Sequence, residues 1–247
     1  MKENFLGLNI DIVDKYDALR ICNKFFESNT YNGICFINSH CYNVSRKNIE
    51  YRNAVNKSSL ILNDGIGMKI GMKLFNINEK ENMNGTDFIP EIIRLATTLN
   101  KRIYLLGCKP GVVDDVEKNL RRKFLGCNIV GKHHGYFNEE EEMNIIEEIN
   151  SKKVDLLIVG MGVPIQELWL DKNKHLFKTV RIGVAGGAIL DFLSERISRA
   201  PKIVRTLNLE WMYRLFLEPK RLWKRYLIGN VQFLYYMIIE KKGTIFQ

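Results

Sequence analysis

Short, continuous apolar runs recur along this chain, each followed by a turn and then by apolar residues at helical spacing. The runs are residues 33–38 (GICFIN), 60–63 (LILN), 102–107 (RIYLLG), 127–131 (CNIVG), 154–160 (VDLLIVG) and 179–184 (TVRIGV). They are uniformly apolar rather than alternating, as expected of strands covered on both faces. Helical spacing is predicted over residues 10–29, 42–57, 88–99, 112–124, 138–150 and 165–175. The second of these, mostly polar, reads as a surface helix. Thr86 or Asp87 reads as the N-cap of the third. Strand, turn and helix repeated in this way predict an α/β fold, a mostly parallel sheet with helices on both faces.

The texture changes near Arg199. Pro201 interrupts the chain, residues 207–217 (LNLEWMYRLFL) are amphipathic, and Pro219 resets the pattern. Residues 220–240 then begin basic (KRLWKRY) and end aromatic and apolar (VQFLYYMII). The sequence thus divides into an α/β core, residues 1–199, and a basic amphipathic helical C-terminal appendage, residues 200–247.

Composition narrows the partners. The chain has 247 residues, 46% of them hydrophobic, which suits one domain with an appendage. Five scattered cysteines, with no C-x-x-C pair, predict reduced thiols and a cytoplasmic setting. The N-terminus is too polar for a secretory signal, and no apolar run approaches the ~20 residues needed to span a bilayer. Net charge is +9, which predicts an anionic partner. Beyond Ala200 nine Lys and Arg residues are opposed only by Glu210, Glu218 and Glu240. Most of Arg214, Arg221, Lys224 and Arg225 share one helical face, among Trp211, Leu215, Leu222, Trp223 and Tyr226. A membrane-surface anchor, an anion clamp and a solvated basic face packed on its own core all fit this pattern. Nucleic acid is not the expected partner: no helix-turn-helix, zinc-finger or RRM pattern is present, and the basic residues do not spread over the core.

Candidate chemistry gathers at the strand ends. The run 60–63 delivers Asp64 and Gly65 to the carboxyl edge of the sheet, where ligands bind in open α/β folds. Asp64 is the candidate reactive group, and an ordinary turn residue is the competing reading. Asn38, with Ser39, His40 and Asn43 after it, can hydrogen-bond a sugar or simply end a strand. His133 and His134 are adjacent, so on a strand they are expected to point apart, and no third ligand stands at zinc spacing; no metal is expected. Tyr136 can stack on a base or pack in the core. In Gly160-Met161-Gly162-Val163-Pro164-Ile165-Gln166-Glu167, proline opens a helix and Gln166 offers a donor and an acceptor to a uracil edge or a sugar hydroxyl. Glu167 there can complement the helix dipole. Asp191, after Gly186-Gly187, can accept from ribose hydroxyls or serve as a first-turn acid. No G-x-G-x-x-G or P-loop pattern is present.

Taken in order, seven stretches resemble the WecG/TagA/CpsF family of bacterial glycosyltransferases. They are NDGIGM (63–68), NGTDFIP (84–90), LLGCKPGVVDDVEKNL (105–120), HHGYF (133–137), DLLIVGMGVPIQELW (155–169), GVAGGAILDFLSERISRAP (183–201) and NLEWMYRLFLEPKRLWKRYL (208–227). The resemblance runs from about residue 9 to about residue 234. It implies a Rossmann-like core whose appendage completes the site at the inner face of the cytoplasmic membrane. It implies inverting transfer of a sugar from a UDP-sugar, with an N-acetylhexosamine such as N-acetylmannosamine as the expected donor. The acceptor it implies is an undecaprenyl-diphosphate-linked sugar, in the assembly of teichoic acid, capsule or another surface polysaccharide. Asp64 falls at the family's proposed base. Tyr136, Gln166 and Asp191 fall on the uridine side, with Gly107, Gly160 and Gly187 giving close backbone approach. Thr86 and Asp87 fall at the sugar pocket, and Arg214, Arg221 and Arg225 at the diphosphate. No D-x-D motif is present, and the resemblance implies a metal-independent reaction without cofactor. Two departures stand out. The first strand ends FINSHCYN rather than in a T-x-N-like element, which bears on Asn38, and Ile165 replaces a lysine, which argues against a charged donor sugar. The competing expectation is a non-catalytic module that keeps the nucleotide site and docks at the membrane. Homo-oligomer formation through an exposed apolar face of the appendage stays open.

Overall fold

The computed structural model describes residues 2–206 and 209–245. Its elements are β1 (Lys2–Phe5), β2 (Leu8–Asp11), α1 (Lys15–Glu27), β3 (Asn32–Ile37), α2 (Ser39–Lys47), α3 (Ile49–Asn56), β4 (Leu60–Asn63), α4 (Gly65–Leu74), α5 (Gly85–Thr98), β5 (Ile103–Gly107), α6 (Val112–Lys123) and β6 (Ile129–His133). There follow α7 (Glu139–Ser151), β7 (Leu156–Gly160), α8 (Ile165–Asn173), β8 (Ile182–Ala185), α9 (Ile189–Leu193), α10 (Lys202–Thr206), α11 (Glu210–Leu217), α12 (Pro219–Trp223) and α13 (Gly229–Ile245). A π-helical turn, Lys224–Ile228, joins α12 to α13.

Six strands form one parallel sheet in the order β4-β3-β8-β7-β5-β6. Every residue of β3, β4, β5, β7 and β8 is buried, which is why these runs carry no polar alternation. Successive side chains still take opposite faces. Ile34, Leu62, Leu105, Ile158 and Val184 pack under α1, α5, α6 and α9. Tyr104, Leu106, Leu157 and Val159 pack under α7 and α8, and Ile37 and Ile61 join Tyr42, Tyr51 and Val55 from α2 and α3. All strands run the same way, so their carboxyl ends share one edge. That is the predicted α/β architecture.

Three local predictions are corrected. Residues 10–29 are not one helix: β1 and β2 form an antiparallel hairpin, and α1 begins after Asp14, whose carboxylate accepts from the Asp17 N–H at 2.8 Å. The hairpin lies against edge strand β4, where the Asp11 carboxylate accepts from the Ile61 N–H at 2.9 Å and covers an otherwise open edge. Residues 42–57 are two helices broken at Asn48, which caps α3 by accepting from the Tyr51 N–H, and the buried Tyr42, Tyr51 and Val55 take this layer off the surface. The cap of α5 is Asn84, which accepts from the Thr86 N–H at 2.8 Å; Thr86 and Asp87 lie inside the first turn. The predicted acidic helix keeps its start: Asn138 and Glu141 form a capping box at α7.

Of the amphipathic stretch predicted from residue 207, Leu207 and Asn208 lie outside the described residues, and α11 supplies the rest. The helix running through α12 and α13 has two apolar stripes. On its inner side Phe233 and Met237 are buried with Phe5, Tyr42, Met68 and Met72. Full burial of each contributes about 1.5–3 kcal/mol. Gly71 on α4 makes room for them: a Cβ there would lie 2.8 Å from the Phe233 ring and 3.2 Å from the Met237 sulfur. The Asn43 side-chain amide donates to the Gly229 carbonyl at 2.7 Å, and Arg46 pairs with Glu240 and lies over the Tyr236 ring. On the outer side Trp223, Leu227, Val231, Leu234 and Ile238 are exposed at helical spacing. No helix among the described residues is long and apolar enough to cross a membrane.

Candidate active site

Asp64 follows β4, and its N–H continues the sheet ladder by donating to the Ile37 carbonyl at 2.8 Å. The next N–H, that of Gly65, donates to the Asn82 side-chain oxygen at 2.7 Å. The backbone on both sides of the carboxylate is therefore fixed before any ligand arrives. Asn38, at the end of neighbouring β3, holds the carboxylate itself. Its Oδ1 accepts from the His40 and Cys41 N–H groups and caps α2, while its side chain also hydrogen-bonds Asp64. Asn38 is thus more than a strand end: it orients the candidate base.

The appendage supplies the charge around Asp64. Burial pushes the Asp64 carboxyl up to about 6; the Asn38 hydrogen bond and the cations of Arg225 and Arg214 work against burial, while Glu210 adds to it. Arg225 sits in the π-helical turn. Its neighbourhood also bears on His40, whose burial, helped by the Arg225 charge, lowers it to about 4 and keeps it neutral. Arg214 is stacked over Phe192 at 4.9 Å. Its Nε and Nη2, and Nε of Arg225, are buried without hydrogen-bond partners.

Asp191 stands in the first turn of α9, near Arg221 and Arg214, and hydrogen-bonds Cys108. Burial is the main influence on it and raises its carboxyl above the usual range. Arg214 is felt by both Asp64 and Asp191, so it links the base to the β5 and β8 turns. Arg221 is half exposed and paired with Glu218. Asp87 is ion-paired: Arg199 takes its carboxylate at 2.6 Å and the Glu210 carboxylate at 3.0 Å, and also donates to the Thr86 carbonyl. Thr86 and Asp87 therefore fasten the core to the start of the appendage.

The glycines divide. A Cβ on Gly107 would lie 2.4 Å from the Gly160 carbonyl oxygen, and one on Gly160 would lie 2.9 Å from Leu190, so their smallness is used in packing strand ends together. Gly187 has positive φ and open space in front of it. Gln166 is buried and its polar atoms are engaged with the turns around it. Tyr136 is 63% exposed, free to stack, beyond Gly135, whose N–H donates to the Cys108 carbonyl at the end of β5. His133 and His134 do not point apart: His134 has left the strand, and the rings stack 4.3 Å apart at a tilt. Among the described residues no three His, Cys, Asp or Glu side chains group in the manner of a metal site.

The structure thus brings Asn38, Asp64, Arg214, Arg225 and Asp191 within electrostatic reach of one another, and leaves Tyr136 exposed beyond the β6 turn. Sequence reasoning missed Arg199 and Glu210, which lie in the SRAP and NLEW stretches but carry no pattern of their own.

These features match a known group of proteins. The model of the Glycosyl transferase WecG/TagA/CpsF family matches residues 3–245. The chain belongs to this family. It is a glycosyltransferase. A Bacillus subtilis (strain 168) relative is 34% identical over 182 residues, 73% of this chain and 69% of its own length. A Staphylococcus aureus (strain NCTC 8325 / PS 47) relative is 27% identical over 247 residues, 99% of this chain and 94% of its own. Both relatives are named N-acetylglucosaminyldiphosphoundecaprenol N-acetyl-beta-D-mannosaminyltransferase.

Proposed function

We propose that this WecG/TagA/CpsF glycosyltransferase moves an N-acetylhexosamine, N-acetylmannosamine first, from a UDP-sugar to undecaprenyl-diphosphate-linked N-acetylglucosamine, with inversion. The observation that carries the reading is the Asp64 carboxylate, oriented by Asn38 and faced by the buried cations Arg214 and Arg225. In the reaction the acceptor hydroxyl oxygen attacks C1 of the donor sugar. Its proton goes to Asp64, and the bond from C1 to the UDP β-phosphate oxygen breaks, its electron pair leaving with UDP. A carboxylate whose pKa lies near 6 is charged at neutral pH and still basic enough to take the proton as the bond breaks. Arg214 and Arg225 offer unpartnered N–H donors to the charge that develops on the diphosphate. Asp191, the Gly187 turn and the exposed Tyr136 ring form the uridine side.

The relatives' printed names support the acceptor and the sugar. The outer stripe of Trp223, Leu227, Val231, Leu234 and Ile238, with Lys220 and Lys224 beside it, supports a peripheral seat on an anionic bilayer. On this reading the reaction runs at the cytoplasmic face, in surface polysaccharide or teichoic acid assembly. The test is a donor screen with a short-chain lipid-diphosphate N-acetylglucosamine and a panel of UDP-sugars, with and without chelator. Transfer from UDP-N-acetylmannosamine, unchanged by chelator, is expected. UDP binding without transfer from any donor overturns the acceptor assignment.

A further inference from the structure

Gln166 and Glu167, in the first turn of α8, are both buried, 2% and 3% exposed. The Gln166 Oε1 accepts from the Gly162 N–H at 3.1 Å and from the Gly187 N–H at 2.9 Å. One side-chain oxygen thus ties the turn after β7 to the turn after β8. Only the oxygen end of the amide can do this; flipped, it would set an NH2 group against two N–H donors. What fixes its orientation is Glu167, whose Oε1 accepts from the Gln166 Nε2 at 2.8 Å. The other Glu167 oxygen meets no other residue's hydrogen-bonding group among the described residues.

A half-used carboxyl in the interior costs stability. An acid that only complemented a helix dipole would do so at the surface, without that cost. The titratable groups facing Glu167 are the Cys35 thiol from β3, the Cys41 thiol from α2 and the Tyr51 hydroxyl from α3. The small cavity beside it, about 20 Å³, is also lined by Lys57, Asp171 and Lys174, which pair among themselves. Burial pushes the Glu167 carboxyl up to about 7.

We propose that Glu167 is a positioning residue for the nucleotide-sugar: it locks the Gln166 amide, and through it holds in register the two glycine turns that floor the donor site. The inference rests on the donor reading above. It separates two roles that sequence motifs run together, since Gln166 here shapes the site through backbone amides while Glu167 selects which end of Gln166 faces them.

The test compares Glu167→Gln, Glu167→Leu and Gln166→Leu in the full chain. UDP affinity is measured by calorimetry, the Gly162 and Gly187 amides are followed by NMR without ligand, and stability is measured by urea unfolding. Glu167→Gln keeps an acceptor and should bind UDP like the wild type. Glu167→Leu and Gln166→Leu should each weaken UDP by about tenfold or more and move both glycine amides. The double variant should be no worse than Gln166→Leu alone. Glu167→Leu should be less stable than the wild type, because it leaves the buried Gln166 Nε2 without its acceptor. If Glu167→Leu does not fold, Glu167→Gln against Gln166→Leu still decides. Unchanged glycine amides in the leucine variants, additive losses in the double variant, or a Glu167→Gln loss equal to that of Gln166→Leu would each overturn the proposal. A wild type that binds no UDP would instead sink the donor reading, and the ligand-free glycine amides would still decide the tie.

Discussion

The two walls of the site are built on opposite terms. On the core wall polar groups already have protein partners: Asp64 with Asn38, the Gly65 N–H with Asn82, and the Gly162 and Gly187 amides with Gln166. On the appendage wall Arg214 and Arg225 keep buried guanidinium nitrogens without hydrogen bonds, and Arg214 has only a 4.0 Å ion pair with Glu218. Arg199, a few residues before, is fully engaged by Asp87 and Glu210, so the difference is not one of arginine against carboxylate. Unpartnered buried donors are costly unless something completes them. The core wall is finished in the folded chain, whereas the appendage wall, on the proposed function, would be finished by an anion.

Asp64→Asn tests the core wall most severely. Turnover should fall by about 10²–10⁴-fold, the range for a lost general base, with UDP affinity unchanged. Retained turnover would break the base assignment. The appendage wall comes next: Arg225→Ala or Arg214→Ala should each cost about 10²–10³-fold in turnover. Arg221→Ala should cost less, because Arg221 already has Glu218. Equal losses at all three positions would erase the distinction between a cation hydrogen-bonded to Glu218 and cations with buried nitrogens that make no hydrogen bond.

A third variant separates the walls mechanically. Gly71→Leu drives a side chain into Phe233 and Met237. It should destabilise by about 1–3 kcal/mol in urea unfolding, and hydrogen exchange should show α13 loosened while the sheet stays protected. The smallest effect is in pH. Folding raises Glu167 from 4.5 to about 7, so the folded chain binds the extra proton. Stability should therefore fall as pH rises from about 4.5 to 7, and Glu167→Gln should flatten that slope.

The sheet was legible because its strands are buried on both faces and carry one signal, apolarity, without interruption. Asp64, Asn38 and Asp191 were legible because a parallel sheet gathers every strand end on one edge. The hairpin was not: β1 and β2 are four residues each, and Asn4 and Asn9 sit among their apolar positions. The docking of α13 was hidden for the opposite reason. Apolar residues surround the helix, and a sequence cannot say which stripe meets protein. The packing role of two glycines carried no pattern either: Gly71 seats the Phe233 ring, and a Cβ on Gly67 would strike the Ser39 hydroxyl. Glu167 read as an acid complementing the helix dipole, because helix numbering alone does not reveal that α8 turns this face inward.

The doubly apolar helix also fixes a height. In the proposed seat, with the outer stripe on a bilayer, α13 would lie between the lipid and the α2 and α4 layer it packs on. A helix with side chains is about 10–12 Å across, so in that seat α13 would hold the layer it packs on roughly that far above the headgroups. A diphosphate anchored by a long lipid tail reaches such a level with its tail still in the membrane. On the proposed membrane seat the protein would act as a spacer gauge, matching acceptors whose hydroxyl stands off the surface by the height of Asp64.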